Sequence, residues 1–386
     1  MLLDLSASVV LFVALVFGIG WPLALRCNFA PIETLVTTAA FSLIGVYLVA
    51  WAVFVFALPL NLLWLLPLMA LLGIATGGRA FVAVVQDRDV RALLVAQGLV
   101  TLGCVGWLGL VSSYSGGGWA GDWYEHWERT RFFLEHWPLD RKFIGTYLLP
   151  ARPPLANVVT GAFLNLSRAD FVHFQLFTTL TSSLAFLPAA LLARRFFLRQ
   201  RTHEFGEVID QGTLQVAVLA VLFLVNPLFI QNAVFAWTKL PAAFFVLAAL
   251  AFLLRTRDAD SPQAAGVVLA VLLGAGLLTH YSAAPYAVIL ALWWFVAGRR
   301  HWHTGKWRRQ TLLMTLAGAL LLGTWFGWSM QAYSPDETLL GNSSVNPGNG
   351  DQGDLFTRIG LNIFDTLVPH FMRDLYPALI AQPSAW

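Results

Sequence analysis

Charged side chains are scarce in this chain: they make up 12% of its 386 residues, against about 25% in a typical soluble domain. Hydrophobic residues account for 58%, and the mean hydropathy is +0.68. Several apolar runs reach the roughly 20 residues that a helix needs to cross a bilayer. The composition excludes a soluble domain and predicts an all-α, polytopic membrane protein.

Cysteine is nearly absent as well. The two cysteines, Cys27 and Cys104, lie at or inside apolar runs, which excludes a disulfide framework and a cysteine-based metal site. The net charge of +3 comes from basic residues that are spread along the connectors between apolar runs. Such a distribution sets membrane orientation and gives no reason to expect a nucleic-acid partner.

The hydropathy pattern predicts about ten transmembrane helices. Residues 1–91 form N-terminal transmembrane helices, residues 92–331 a transmembrane core with a long loop at 113–171, and residues 332–386 an external loop with an amphipathic C-terminal segment. Leu155–Ser167 is too short to span and is predicted to be re-entrant or interfacial. The predicted spans are 8–25, 34–57, 61–76, 92–112, 172–192, 213–235, 240–255, 265–279, 283–298 and 311–331.

Basic residues predict the orientation. The connectors at 26–33, 77–91, 194–212, 256–264 and 299–310 carry more than half of the Lys and Arg residues. By the positive-inside rule this side is cytoplasmic. The loop at 113–171, Lys239 and the turn at His280 then lie outside.

The external loop holds the densest group of candidate catalytic residues. Asp122, Glu125, His126 and Arg129 are spaced i, i+3, i+4 and i+7, which places them on one face of a helix. Asp122 is a candidate general base, Glu125 and His126 are candidate partners, and Arg129 is a candidate substrate ligand. Asp122 is also a candidate ligand for a divalent cation, Mg²⁺ or Mn²⁺. The alternative is purely structural, with Asp122 and Glu125 forming a capping box.

Three further external features are candidates for binding a substrate. Arg152 precedes two prolines, which hold its backbone extended, and a guanidinium pairs well with phosphate oxygens. Lys239 and the pair His280–Tyr281 occupy outer turns between apolar runs. Cations near a membrane-spanning segment are costly and usually mark a site. The alternative for Arg152 is snorkelling to the interface.

Together these features resemble the GT-C superfamily of membrane glycosyltransferases, and the protein mannosyltransferase and lipid A aminoarabinose transferase group (family 39-like) in particular. The resemblance covers roughly residues 115–300. It rests on four places: the acidic residue in GDWYEHWER, the arginine in ARPPL, the basic end of a span at ARRFF, and the external turns TKLP and LTHY.

The resemblance implies an inverting transferase that takes a sugar from a polyprenyl-phosphate carrier to a lipid, glycan or protein acceptor. It also implies a multi-pass protein of the bacterial inner membrane with its active site facing the periplasm or exterior. Some relatives carry an acidic residue where this chain has Thr238-Lys239. The source of a second carboxylate therefore stays open among Glu337, Asp351 and Asp354.

Two other functions stay open at this point. A transporter or flippase for lipid-linked sugars would share the basic groove, although such proteins usually show inverted repeats, which are not seen in this sequence. A membrane O-acyltransferase would require a catalytic histidine, either His126 or His280. A glycosyltransferase accounts best for a loop carboxylate beside external cations.

Overall fold

A computed structural model describes residues 2–111, 121–197, 211–258 and 261–341 of the chain. These residues form helices and contain no β-strand, which confirms the all-α class. The α-helices are α1 (Leu2–Gly18), α2 (Trp21–Arg26), α3 (Pro31–Val55), α4 (Leu65–Thr76), α5 (Gly78–Gln86), α6 (Arg88–Leu108), α7 (Asp122–Glu135), α8 (Leu155–Leu166), α9 (Phe171–Ser183), α10 (Phe186–Phe197), α11 (Gln211–Val225), α12 (Pro227–Val234), α13 (Lys239–Arg255), α14 (Ala264–Thr279), α15 (Ala284–Ala297), α16 (Gly305–Ala332) and α17 (Pro335–Leu340).

Several helices begin where the sequence supplies a cap. Asp87 accepts hydrogen bonds from the backbone N–H groups of Asp89 and Val90 at the start of α6. Asp170 accepts one from His173 at the start of α9, and Asn226 accepts one from Phe229 at the start of α12. These short polar side chains satisfy backbone donors that the first turn of a helix leaves without partners.

Among the described residues, five helical segments are long and apolar enough to cross a membrane, and there are up to seven if each bent pair counts as one span. The predicted number of ten is not confirmed. The predicted spans at 240–255, 265–279 and 283–298 correspond to the shorter helices α13, α14 and α15, which have 17, 16 and 14 residues. Hydropathy marks apolar segments but does not show where a helix breaks.

Two predicted spans are bent rather than straight. The segment at 213–235 breaks by 70° between α11 and α12, because Pro227 cannot donate to the helix before it and Asn226 caps the helix after it. The segment at 61–76 continues past Gly77 into α5 with a bend of 78°. A Cβ atom added at Gly77 would lie 2.4 Å from Trp21 Nε1, so a residue with a side chain would collide with Trp21 at this bend.

Ion pairs join four of the predicted connectors at one end of the bundle, which we call the basic end. Arg255 contacts Glu33 at 3.4 Å, and Arg195 contacts Asp258 at 2.7 Å. A third pair joins Arg194 to Asp89. The connectors around residues 26–33, 77–91, 194–212 and 256–264 therefore share one side, as their positive charge predicts.

The opposite end, which we call the site end, carries the described part of the loop that is predicted to be external. Helix α13 begins at Lys239 and is about 25 Å long at 1.5 Å per residue. Its antiparallel partner α14 returns to end at Thr279, so that His280 lies near Lys239. Helix α16 then brings Trp325 to the same end, where its indole donates to the Tyr281 hydroxyl at 3.3 Å.

Helix α8, in the segment predicted to be external, is almost fully enclosed. Its 12 residues span about 18 Å, which is too short to cross a hydrocarbon core of about 30 Å. Eleven of them are buried, and α8 packs against α3, α7 and α9. The short helix thus anchors the loop in the bundle. The predicted amphipathic segment after residue 341 and Trp119 lie outside the described residues.

Candidate functional site

Asp122 stands at the first position of α7, where its carboxylate is free of a capping role. The N-cap residue is Gly121, and Asp122 lies inside the helix, where no side-chain cap bond occurs among the described residues, so the capping-box alternative is wrong. The Asp122 Oδ2 atom instead accepts a hydrogen bond from Trp237 Nε1 at 3.1 Å. This bond joins the start of α7 to the turn before α13. The side chain keeps 29% of its surface exposed, so it stays within reach of a substrate.

Arg152 faces two carboxylates of α7, those of Asp122 and Glu125. Its Nη2 atom lies 3.4 Å from Glu125 Oε2 and 3.9 Å from Asp122 Oδ1. The second distance is too long for a hydrogen bond. Its Nε–H group is buried and has no hydrogen-bond acceptor among the described residues. A buried donor without an acceptor is costly, so this N–H is a ready binding point for an oxygen of a ligand.

Glu125 and Arg129 form a buried ion pair beneath Arg152. The Arg129 Nη2 atom lies 2.8 Å from Glu125 Oε1, and both side chains are almost fully enclosed. Arg129 also donates to the carbonyl oxygens of Leu149 at 2.7 Å and Leu148 at 3.1 Å. Arg129 thereby holds the chain segment that carries Arg152. The structure gives Arg129 this internal role, and its predicted contact with a substrate stays a prediction.

Lys239 contacts Trp237, the residue that donates a hydrogen bond to Asp122. Its Nζ atom lies 3.9 Å from the centroid of the Trp237 ring, a cation–π contact. The Trp237 indole is buried, and its N–H is the one that binds Asp122. One tryptophan therefore contacts both the candidate base and a candidate phosphate ligand, and it positions both.

The pKa values of Asp122 and Glu125 are shifted in opposite directions. Burial raises the pKa of Asp122, and the opposing effects of Arg152, the Trp237 hydrogen bond and Lys239 do not cancel that rise. Burial also acts to raise the pKa of Glu125, but Arg129 and Arg152 outweigh it and lower that pKa. Glu125 thus stays ionised as a structural anion, while Asp122 is the carboxylate with the better match to proton transfer.

Both candidate histidines are neutral at pH 7. Burial lowers the pKa of His126 to about 4, and its Nδ1 donates to Asn157 Oδ1 at 3.2 Å. Burial, together with His126, Arg152 and Lys239, lowers the pKa of His280 to about 3. The backbone N–H of Ser282 donates to His280 Nδ1 at 3.0 Å, so the proton of this imidazole sits on Nε2. His280 can therefore serve the site as a neutral donor.

Tyr281 helps to position the segment before Arg152. Its hydroxyl donates to the carbonyl oxygen of Pro150 at 3.0 Å and accepts from Trp325 Nε1 at 3.3 Å. Arg129 and Tyr281 thus hold residues 148–151 from two sides. The predicted contact of Tyr281 with a substrate is not tested.

The surroundings of Asp122 bear on the predicted divalent cation. No group of three or more His, Cys, Asp or Glu side chains that could hold a metal occurs among the described residues. Asp122 faces Arg152 and is close enough to Lys239 for the lysine to affect its pKa, and two positive charges oppose the binding of a third. The binding of Mg²⁺ or Mn²⁺ at Asp122 stays a prediction. Asp351 and Asp354 lie outside the described residues, and Glu337 is exposed on α17.

Sequence reasoning missed three residues that shape the site: Trp237, Asn157 and Trp325. All three lie in or beside apolar runs, where the sequence predicts that an aromatic or amide side chain packs in the core or lies at the membrane interface. The one available signal was Asn157, because a polar side chain in an otherwise apolar run needs a hydrogen-bond partner. Trp237 gave no signal apart from its place two residues before Lys239.

Arg129→Ala should destabilise the folded protein by about 3–5 kcal/mol, because it leaves Glu125 as a buried charge without its closest partner. Arg131→Ala is the matched control. Arg131 forms the same i,i+4 pair with Glu135 on the same helix, but both side chains are more than 40% exposed, and such pairs contribute about 1 kcal/mol or less. Thermal unfolding in detergent measures both. Equal losses in the two variants would contradict the internal role of Arg129.

Comparison with known proteins assigns the chain to no family. Its function is therefore inferred from the residues and contacts around Asp122 and from the sequence motifs that carry them. No family model, curated protein or solved structure matches the chain.

Proposed function

We propose that this chain is a membrane glycosyltransferase that moves a sugar from a polyprenyl-phosphate carrier to an acceptor at the site end of the bundle. The observation that carries the proposal is the placement of Asp122, whose pKa is raised, beside Arg152 and Lys239. The identity of the donor, a sugar on a polyprenyl-phosphate carrier, is inferred from the resemblance of the GDWYEHWER and ARPPL segments to GT-C enzymes. The base and the phosphate ligands have independent support in the geometry.

Arg152 and Lys239 are the proposed ligands of the carrier phosphate. The Arg152 Nε–H has no acceptor among the described side chains and backbone groups, and its Nη2 contact with Asp122 is longer than a hydrogen bond. The guanidinium can therefore bind a phosphate oxygen without breaking a short bond. Lys239 is an exposed cation held at the same place by Trp237. The neutral His280 adds a donor that carries no charge.

Asp122 is the proposed general base. Its carboxylate takes the proton of the acceptor hydroxyl or amine while the acceptor atom attacks the anomeric carbon. The bond between that carbon and the carrier phosphate oxygen breaks, and the phosphate leaves with one more negative charge. Arg152 and Lys239 stabilise that charge as it develops, which is where fixed cations contribute most to a rate. Attack from the side opposite the leaving phosphate inverts the anomeric centre.

The surrounding contacts suit this task, because they fix the reacting groups while leaving them partly accessible. Trp237 holds one oxygen of Asp122, which leaves the other for the acceptor proton. Arg129 and Tyr281 hold the segment that carries Arg152. The apolar helices support the placement of the site at a membrane surface, where a polyprenyl chain can remain in the lipid while its phosphate reaches Arg152.

Asp122→Asn should lower turnover about 10²-fold or more, because the amide cannot take a proton. The helix start should persist, since Gly121 rather than Asp122 is the N-cap residue. Purified protein in nanodiscs is mixed with candidate polyprenyl-phosphate sugars, and mass spectrometry follows loss of the sugar. Glu135→Gln, on the exposed side of the same helix, is the control and should keep its turnover. Near-normal turnover of Asp122→Asn would place the base elsewhere.

Arg152→Gln and Lys239→Gln should each weaken binding of the polyprenyl-phosphate carrier roughly ten- to a hundred-fold in Kd, the value of one charge-assisted contact. Arg131→Gln removes one positive charge from the exposed face of the nearby α7 and serves as the control. Binding is measured by native mass spectrometry with defined carrier lipids. If all three variants bind the carrier with the same Kd as the unmodified protein, Arg152 and Lys239 are interfacial anchors and not phosphate ligands.

A further inference from the structure

A polar cavity lies at the basic end, at the opposite end of the bundle from Asp122. It has a volume of about 580 Å³ and lies where α13, α15 and α16 meet. Helix α13 separates the two places, with Lys239 at one end and the cavity residue Arg257 just beyond the other, about 25 Å away along the helix. Six lining residues matter here: Arg257, Trp294, His301, Lys306, Trp307 and Gln310.

The cavity has the charge of an anion site. Arg257 and Lys306 are exposed cations at its wall, and no Asp or Glu lines it within the part of the chain that the structure describes. The Arg257 guanidinium lies 4.6 Å from the centroid of the Trp293 ring, which restricts its position. The Gln310 amide is a further polar group in the lining. Elsewhere at this end, Arg194, Arg195 and Arg255 are neutralised by carboxylates.

Trp307 supplies an independent sign of a missing acceptor. Its Nε1–H is buried and makes no hydrogen bond among the described residues. A Cβ atom added at Gly298 would lie 2.3 Å from this nitrogen, so only glycine lets the indole approach so closely. Trp307 also stacks on Trp294, with ring centroids 5.2 Å apart and an angle of 13°. The stacked pair is a rigid apolar wall with an indole donor at its edge.

We propose that this cavity binds the phosphate headgroup of an anionic membrane lipid. Two cations and a donor without an acceptor suit phosphate oxygens, and the stacked tryptophans suit the level where headgroup and acyl chain meet. Basic pockets between transmembrane helices are known places for such headgroups. A free phosphate ion shares this chemistry, but it would gain nothing from the aromatic wall. The site is independent of the transferase reaction proposed for the other end.

The test compares two double variants that lose the same charge. Arg257→Gln/Lys306→Gln removes both cations of the cavity, whereas Arg300→Gln/Arg309→Gln removes two exposed cations of the same end that do not line it. Proteins in phosphatidylcholine nanodiscs with increasing phosphatidylglycerol are analysed by native mass spectrometry for retained phosphatidylglycerol. The first pair should weaken retention at least about tenfold, and the second should leave it within about twofold.

Gly298→Ala tests the tryptophan wall without a change of charge. The added methyl group displaces Trp307 and should weaken retention of phosphatidylglycerol while leaving sugar transfer at the other end unchanged.

Equal losses of phosphatidylglycerol retention in the two double variants, or no loss in either, would overturn the cavity site. A second arm adds inorganic phosphate to the protein in neutral nanodiscs. Binding of phosphate as tight as that of the lipid, with the same dependence on Arg257 and Lys306, would overturn the lipid assignment.

Discussion

The candidate site depends on one interaction, the hydrogen bond from Trp237 Nε1 to Asp122 Oδ2. It fixes a half-buried carboxylate at the start of α7 against the turn that carries Lys239. Burial raises the pKa of this carboxylate, while Trp237, Arg152 and Lys239 keep it from rising further. The balance leaves an anion that is less well solvated than an aspartate in water and therefore more ready to take a proton.

The fold serves that interaction by bringing distant segments to one end. The antiparallel pair α13 and α14 places Lys239 beside His280, and buried α8 holds the loop to the bundle. Arg129 and Tyr281 then hold residues 148–151, so that Arg152 lies beside Asp122 and Glu125. The two carboxylates differ in their partners. Glu125 neutralises the buried Arg129, whereas Asp122 forms no short ion pair among the described residues and stays partly exposed. The two ends differ in charge, since the described residues that line the cavity near Arg257 include cations but no carboxylates.

The sequence was sufficient for the helical class, for the common side of the basic connectors and for the gathering of Asp122, Arg152, Lys239 and His280. Charge and hydropathy are enough to predict these features, because each residue contributes to them independently of its tertiary contacts. It could not supply the number of spans, since the breaks at Asn226-Pro227 and Gly77 depend on local backbone geometry. Nor could it show that Gly121 rather than Asp122 is the N-cap residue, or that Trp237 is a donor to Asp122. Pairings between positions 115 residues apart are set by tertiary packing.

The pH dependence of turnover in Trp237→Phe tests the central claim most directly. Phenylalanine keeps a ring for Lys239 but removes the N–H that stabilises the charged form of Asp122, so the Asp122 pKa should rise further. Because the carboxylate is the active form, turnover is lost as pH falls through that pKa. The acid limb of the profile should therefore move to higher pH. Trp127→Phe, which packs on Phe171 and Phe174, should leave it in place. An acid limb that stays at the same pH in Trp237→Phe would contradict the assignment of Asp122 as the base.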